Sequence, residues 1–216
     1  KNTLLLIGLI TSIYGVIGAI GAERLRRFVG FMVLSSGGTL LIAIAMFNTQ
    51  AWSAGLYYLV HSSLIAAAFY LFCGWITAQR GTFKDHLKVA PKIKNEKAAA
   101  LTYFLIAMMM AGLPPFSGFL GKVFILQATA ETAYQGWIIA IILIVSLLSI
   151  LALTRVGFIL FWRASPPEID PNEAAYQTYQ GLPAYAPNRN DTAIYIILAG
   201  LMAYVVFASP IQTYTV

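Results

Sequence analysis

The sequence predicts an all-α, polytopic membrane protein with six transmembrane helices, one of them discontinuous. Three observations carry that expectation. Apolar residues make up 59% of the 216-residue chain and charged residues only 10%, whereas a soluble domain carries about 25% charge to hydrate its surface. The mean hydropathy is +0.76. The apolar residues are also gathered into runs of about 20 or more, the length that crosses a ~30 Å hydrocarbon core at ~1.5 Å per residue. Collagen-like, disordered and disulfide-stapled classes fall away on the same figures. Cys73 is the one cysteine and has no partner in the chain for an intramolecular disulfide. The net charge of +6 has no soluble face on which to form a nucleic-acid-binding stripe, so it is read as membrane topology.

The first run, 3–22, carries Gly8, Thr11, Gly15, Gly18 and Ala22 as a small face for close helix packing. The second, 25–47, begins among Arg24, Arg26 and Arg27 and holds Ser35 and Ser36. The third, 52–78, holds His61, Ser62 and Ser63. The fourth, 98–132, is too long for one straight crossing and is cut by the stretch from Gly112 through Pro114 and Pro115 to Gly118. Either the two prolines mark an external turn between short helices, or they break one helix inside the membrane, where irregular backbone must be buried in protein or line a wet cavity. The fifth, 136–162, holds Ser146, Ser149 and Arg155, and the sixth runs over 192–212. The chain begins at a lysine, so a fragment lacking an upstream portion is expected.

Cytoplasmic loops collect Lys and Arg, and this arbitrates at the fourth run. With one interrupted crossing, Arg24, Arg26, Arg27, Arg80, Lys84, Lys88, Lys92, Lys94, Lys97, Arg163 and Arg189 all fall on one face and only Lys1 on the other. Two crossings would move Arg163 and Arg189 across and blur the separation. The interrupted crossing is favoured, with both chain ends on the external side. Residues 80–97 then form a basic cytoplasmic connection. Residues 163–191, rich in proline and tyrosine, form an irregular one.

Charged groups within the spans cost several kcal/mol and mark ion pathways or buried pairs by default. Lys122 and His61 each lie about nine residues from the external end of their segments, hence ~13–15 Å deep, at the bilayer midplane. Arg155 lies ~28 Å from the start of its segment, where it can snorkel to the headgroups. The same depth collects Thr11, Ser12, Ser35, Ser36, Ser62, Ser63, Ser146 and Ser149. A single hydroxyl usually glues helices together. A layer of them around a lysine and a histidine can instead hold a file of waters. Burial penalises the charged form of Lys122, which lets it load and release a proton, and His61 titrates near neutrality as a relay to it. The break frees backbone carbonyls and half-helix ends of the kind transporters place around ions, with Ser117 at its edge and Gly118 and Gly121 permitting close approach. Nothing in the residues calls for a metal or cofactor, and no triad, metal cluster or carboxylate pair supports an enzyme.

The strings AGLPPFSGFLGKVFIL, GLYYLVHSSLIAAAFYLF and ERLRRFVGFMVLSSGG resemble the antiporter-like subunit family shared by Mrp-type cation/proton antiporters and the membrane arm of respiratory complex I, and most of all its D-type branch. The resemblance implies a fold of fourteen helices built on two inverted five-helix repeats, of which this chain is similar to the last six. Residues 1–163 would be the second repeat, 164–191 a cytoplasmic loop and 192–216 a closing helix. Lys122 would be the conducting residue of the discontinuous helix and His61 the residue passing protons between half-channels. Arg26 and Ser36 depart from the family pattern of lysine and of histidine or glutamine. A guanidinium does not deprotonate, so Arg26 is read as electrostatic or structural, as is Arg155. The implied function is a proton-translocating subunit of a multisubunit Na+/H+ antiporter in a bacterial cytoplasmic membrane, with A- and C-type subunits and lipid as partners. A proton-pumping subunit of a complex I relative or membrane-bound hydrogenase, and a purely structural scaffold, are the alternatives.

Overall fold

The computed structural model describes residues 2–90, 93, 95–130, 132–163 and 189–206. All regular elements among them are helical. They are α1 (Asn2–Ile20), α2 (Leu25–Ala45), α3 (Thr49–Gln79), a short 3-10 turn (Gly81–Phe83), α4 (Glu96–Ala111), α5 (Ser117–Gln127), α6 (Gln135–Gly157) with a π-helical continuation (Phe158–Trp162), and α7 (Arg189–Val206). Among the described residues, four helices are long and apolar enough to cross a membrane: α1, α2, α3 and α6 with its continuation. The apolar part of α7, Thr192–Val206, is shorter. The expected end of this segment at 212, the loop residues 164–188, and Lys1, Lys92 and Lys94 lie outside the described residues. The expected loop 163–191 ends earlier than its composition implied, because residues 189–191 already form the first turn of α7.

The small face of α1 packs α1 and α2 nearly backbone to backbone. A Cβ on Gly15 would lie 2.4 Å from the Ser35 amide nitrogen, and one on Gly38 would lie 2.4 Å from that of Ser12. The contact is sealed by the Ser35 hydroxyl, which donates to the Ser12 carbonyl at 2.9 Å.

One end of the bundle is tied together by polar contacts. The amide of Leu25 donates to the Asp85 carbonyl at 2.7 Å and that of Leu87 to the Glu23 carbonyl at 2.8 Å, which fastens the 80–97 connection to the α1–α2 turn. Arg80, 4% exposed, donates to the carbonyls of His86 at 2.6 Å and Lys88 at 2.8 Å. Burial pushes its guanidinium down to about 10, with Asp85 acting the other way, so it stays charged at neutral pH. Arg155 reaches the same end and donates to the carbonyls of Ile20 at 2.7 Å and Ala22 at 3.4 Å, completing the frayed end of α1.

At the opposite end, the Asn48 side chain caps α3 by accepting from the Ala51 amide at 2.6 Å, and its nitrogen donates to the Ala128 carbonyl at 3.3 Å. The end of α5 therefore lies beside the start of α3. The start of α4 lies beside the end of α3, where the Asn95 amide meets Gln79.

Two apolar clusters fill the interior. One, at the Arg80 end, is built around Phe28, Phe69, Phe72 and Tyr103. The other, at the Asn48 end, contains Ile42, Met46, Ile125, Ile138 and Ile142. Between them lie the polar side chains of the middle layer.

Candidate functional site

The break between α4 and α5 follows from local chain chemistry. Proline cannot donate to a helix and disfavours helical backbone before it, so α4 stops ahead of Pro114. Gly112 adopts φ 75°, ψ 50°, a left-handed conformation that glycine takes at no steric penalty. The Leu113 amide bonds the Met108 carbonyl at 3.1 Å and the Gly112 amide the Met109 carbonyl at 3.2 Å, which is the Schellman pattern. That pattern leaves the Ala111 carbonyl for another donor.

Lys122, in the second turn of α5, is that donor. Its ammonium donates to the Ala111 carbonyl at 2.8 Å and to Ser146 Oγ of α6 at 3.1 Å. Both partners are neutral oxygens. A cation at a helix C-terminus is also favoured by the aligned peptide dipoles, by about 0.3–1 kcal/mol and up to ~2 kcal/mol when partly buried. The lysine thus crosses the break and joins α4, α5 and α6.

Beside the ammonium is a cavity of about 10 Å³ lined by Ser35, Ser36 and Thr39 of α2, Tyr58 of α3, Ser146 and Ser149 of α6, and flanking apolar side chains. A volume of that order accommodates about one water, and the lining supplies the polar partners a water needs. The Tyr58 hydroxyl donates to Ser36 Oγ at 3.4 Å.

His61 is placed just outside this cavity. It is 2% exposed, and its Nδ1 lies 2.8 Å from Ser117 Oγ at the start of α5. The Met109 carbonyl of α4 lies on the Nε2 side of the ring, next to Gly118. A Cβ on Gly118 would sit 2.5 Å from that carbonyl and 2.6 Å from His61 Nε2. Gly118 thus lets α5 lie against both. Gly121 does the same against Tyr58, where a Cβ would meet Cδ2 at 2.9 Å.

The structure therefore gathers Lys122, Ser36, Ser146 and Ser149 at one cavity and His61, Ser117 and Gly118 at an adjoining contact. Pro114 and Pro115 are exposed on the turn beside them. Ser62 and Thr11 do not join either group. Ser62 Oγ turns back to the Leu59 carbonyl at 3.2 Å, and Thr11 is half-buried on α1, away from the cavity lining. Arg26 is exposed at the start of α2, and Arg155 is bound to the end of α1. Sequence reasoning did not single out Tyr58, Thr39 or the carbonyls of Ala111 and Met109. The signal for Tyr58 was its place one turn before His61 on α3. A buried tyrosine hydroxyl ordinarily finds a polar partner.

A family model described as NADH:quinone oxidoreductase/Mrp antiporter, TM, matches residues 1–151. The D-type subunit of the Na(+)/H(+) antiporter of Bacillus subtilis is 30% identical over 80% of this chain and 34% of its own length. The D-type subunit of a probable K(+)/H(+) antiporter of Rhizobium meliloti is 29% identical over 72% of this chain and 34% of its own length. The chain thus spans about a third of the curated relatives it matches. Among solved structures, the Mrp complex from Dietzia sp. DQ12-45-1b aligns over 99% of this chain and 45% of the matched chain, with a TM-score of 0.74 and 25% identity. Respiratory complex I from Thermus thermophilus aligns over 99% of this chain and 44% of its own, with a TM-score of 0.72 at 17% identity, a likeness of fold.

Proposed function

The chain belongs to the NADH:quinone oxidoreductase/Mrp antiporter transmembrane family, and on that premise we propose that it is the proton-translocating part of a multisubunit monovalent cation/proton antiporter. It is a multi-pass membrane transport component rather than an enzyme. Protons move through Lys122, water and His61, and the coupled metal cation is sodium. Its partners are the other subunits of the complex, of the Mrp A and C type.

The observation that carries this reading is the placement of Lys122. A lysine held across a helix break, with two neutral oxygen partners and a water-sized hydroxyl-lined cavity beside it, suits a group that gains and loses charge. A lysine kept only for structure would be expected to face a carboxylate, since an unpaired buried ammonium is costly.

The same placement supports one interrupted crossing for α4 and α5. Together they run from the Gln79 end of α3 to its Asn48 end. With α7 taken as a sixth span and basic loops taken as cytoplasmic, we read the 80–97 connection and the end of α6 as facing the cytoplasm and both ends of the chain as facing outward. Ser36, Ser117, Ser146 and Ser149 are the supporting polar groups, while Arg26 and Arg155 set electrostatics and structure at the cytoplasmic face.

The test is sodium-dependent collapse of a respiration-generated pH gradient in everted vesicles carrying the assembled complex. Lys122→Ala is expected to lower exchange by about 10²-fold or more, the scale of a lost acid–base group, and His61→Ala to lower it substantially. Wild-type exchange in an assembled Lys122→Ala complex would sink the relay and leave a scaffold. Proton movement without sodium dependence in the wild type would point to a redox-driven relative.

A further inference from the structure

Tyr58 stands between the Lys122 cavity and His61. Its side chain is 3% exposed, and it lines the Lys122 cavity together with the hydroxyls of α2 and α6. Its ring centroid lies 6.0 Å from that of His61. Its flank is pressed by α5 at Gly121, the residue before Lys122. Its hydroxyl donates to Ser36 Oγ at 3.4 Å, and Thr39, in the same cavity lining, donates to the Ser35 carbonyl at 3.3 Å.

We propose that the Tyr58 hydroxyl is a fixed link of the proton path, anchoring the one water the cavity can hold against Lys122 and joining it to Ser36. The inference rests on the relay reading of Lys122. Of the three N–H donors of an ammonium, two are engaged by the Ala111 carbonyl and Ser146. The third is free for a water in the cavity. With the Tyr58 O–H turned toward Ser36, its oxygen lone pairs can accept from that water. The donors then point one way, from Lys122 through water and Tyr58 to Ser36. A proton leaves Nζ for the water oxygen as the water gives one to Tyr58 Oη. Tyr58 gives its own to Ser36 Oγ, and Ser36 passes its proton to a water beyond α2. Lys122 ends as the neutral amine, every oxygen of the chain ends with its original number of protons, and one proton has crossed from α5 to α2. Ser36 needs no titratable side chain in such a path, because a hydroxyl both donates and accepts.

The decisive variant is Tyr58→Phe, which keeps the ring against Gly121 and His61 and removes only the hydroxyl. In everted vesicles with assembled complex, Tyr58→Phe is expected to slow sodium-dependent proton exchange by about tenfold or more, and Ser36→Ala by a similar factor. The double variant should be little worse than either alone, since both cut one chain. The rate ratio between H2O and D2O should change in Tyr58→Phe, because a packing role would leave it alone. Wild-type exchange with an unchanged isotope ratio in Tyr58→Phe, while Lys122→Ala is inactive, overturns this inference and leaves the relay standing. Wild-type exchange in Lys122→Ala overturns the relay itself. If Tyr58→Phe does not assemble, Ser36→Ala carries the test, and full exchange there overturns the link.

Discussion

Adding one methyl group at Gly118 should disable transport while leaving the protein assembled. A Cβ at that position falls 2.5 Å from the Met109 carbonyl oxygen, 2.6 Å from His61 Nε2 and 3.0 Å from His61 Cε1, where ordinary contact begins near 3.4 Å. The carbonyl belongs to the last turns of α4 and cannot withdraw by itself. Relief must come from the His61 ring or from a shift of α5 by several tenths of an ångström. Overpacking of this kind costs about 1–3 kcal/mol. The better helix propensity of alanine returns at most ~1 kcal/mol. The net destabilisation, roughly 0–3 kcal/mol, is compatible with assembly. The function is less tolerant. If the ring turns away, its 2.8 Å contact with Ser117 lengthens past the ~2.6–3.2 Å range in which proton transfer is efficient. Gly118→Ala should therefore retain normal abundance in the membrane and normal migration of the complex on a native gel, with pH-gradient collapse at least about tenfold slower. Exchange at the wild-type rate in assembled Gly118→Ala would refute the argument that close contact of α5 with His61 sets the relay geometry.

A methyl at Gly15 meets backbone rather than a functional side chain, with the Ser35 nitrogen 2.4 Å away. Gly15→Ala should therefore lower the thermal stability and yield of the complex, by about 1–3 kcal/mol, with normal exchange per assembled copy. Arg155→Gln removes the charged donor to the Ile20 and Ala22 carbonyls and should reduce stability by about 1–3 kcal/mol, read as a lower melting temperature in detergent, with exchange unchanged. Loss of exchange at full stability would instead place Arg155 on the ion path. Arg80→Met deletes the two side-chain bonds to the carbonyls of residues 86 and 88. Limited proteolysis should then cut within the 80–97 connection faster than in the wild type, and unchanged cleavage would show that the loop is held by other contacts.

The four long apolar helices were legible because a bilayer leaves few alternatives to long apolar runs, and the interruption between α4 and α5 was legible because two adjacent prolines cannot continue a helix. Height in the membrane could also be counted, at ~1.5 Å per residue. Direction around the helix axis could not be counted in the same way. Successive residues turn by about 100°, so Ser62 shares the height of His61 and faces elsewhere, while Tyr58 lies one turn away on the His61 face. Depth alone grouped His61 with Ser62. Packing against Gly121 and Ser36 selected Tyr58. Its hydroxyl was masked by its ring, since a tyrosine inside an apolar run reads as aromatic filling until a partner 22 residues away is brought against it. Backbone acceptors are invisible to side-chain motifs. The Ala111 carbonyl became a ligand only because the Schellman turn at Gly112 left it unused.

That carbonyl makes the helix break and the lysine one device. While Lys122 is protonated, its charge is attracted to the C-terminal end of α4 and holds α5 against it. When the proton leaves, a neutral amine can still donate a hydrogen bond, but the charge–dipole attraction of about 0.3–2 kcal/mol disappears. The junction of α4 and α5 is therefore tighter in the charged state. On the proposed relay, linkage makes the effect reciprocal: the charge on Lys122 and the closure of α4 against α5 would favour one another. The effect needs no carboxylate near the lysine, because the broken helix supplies the negative end itself.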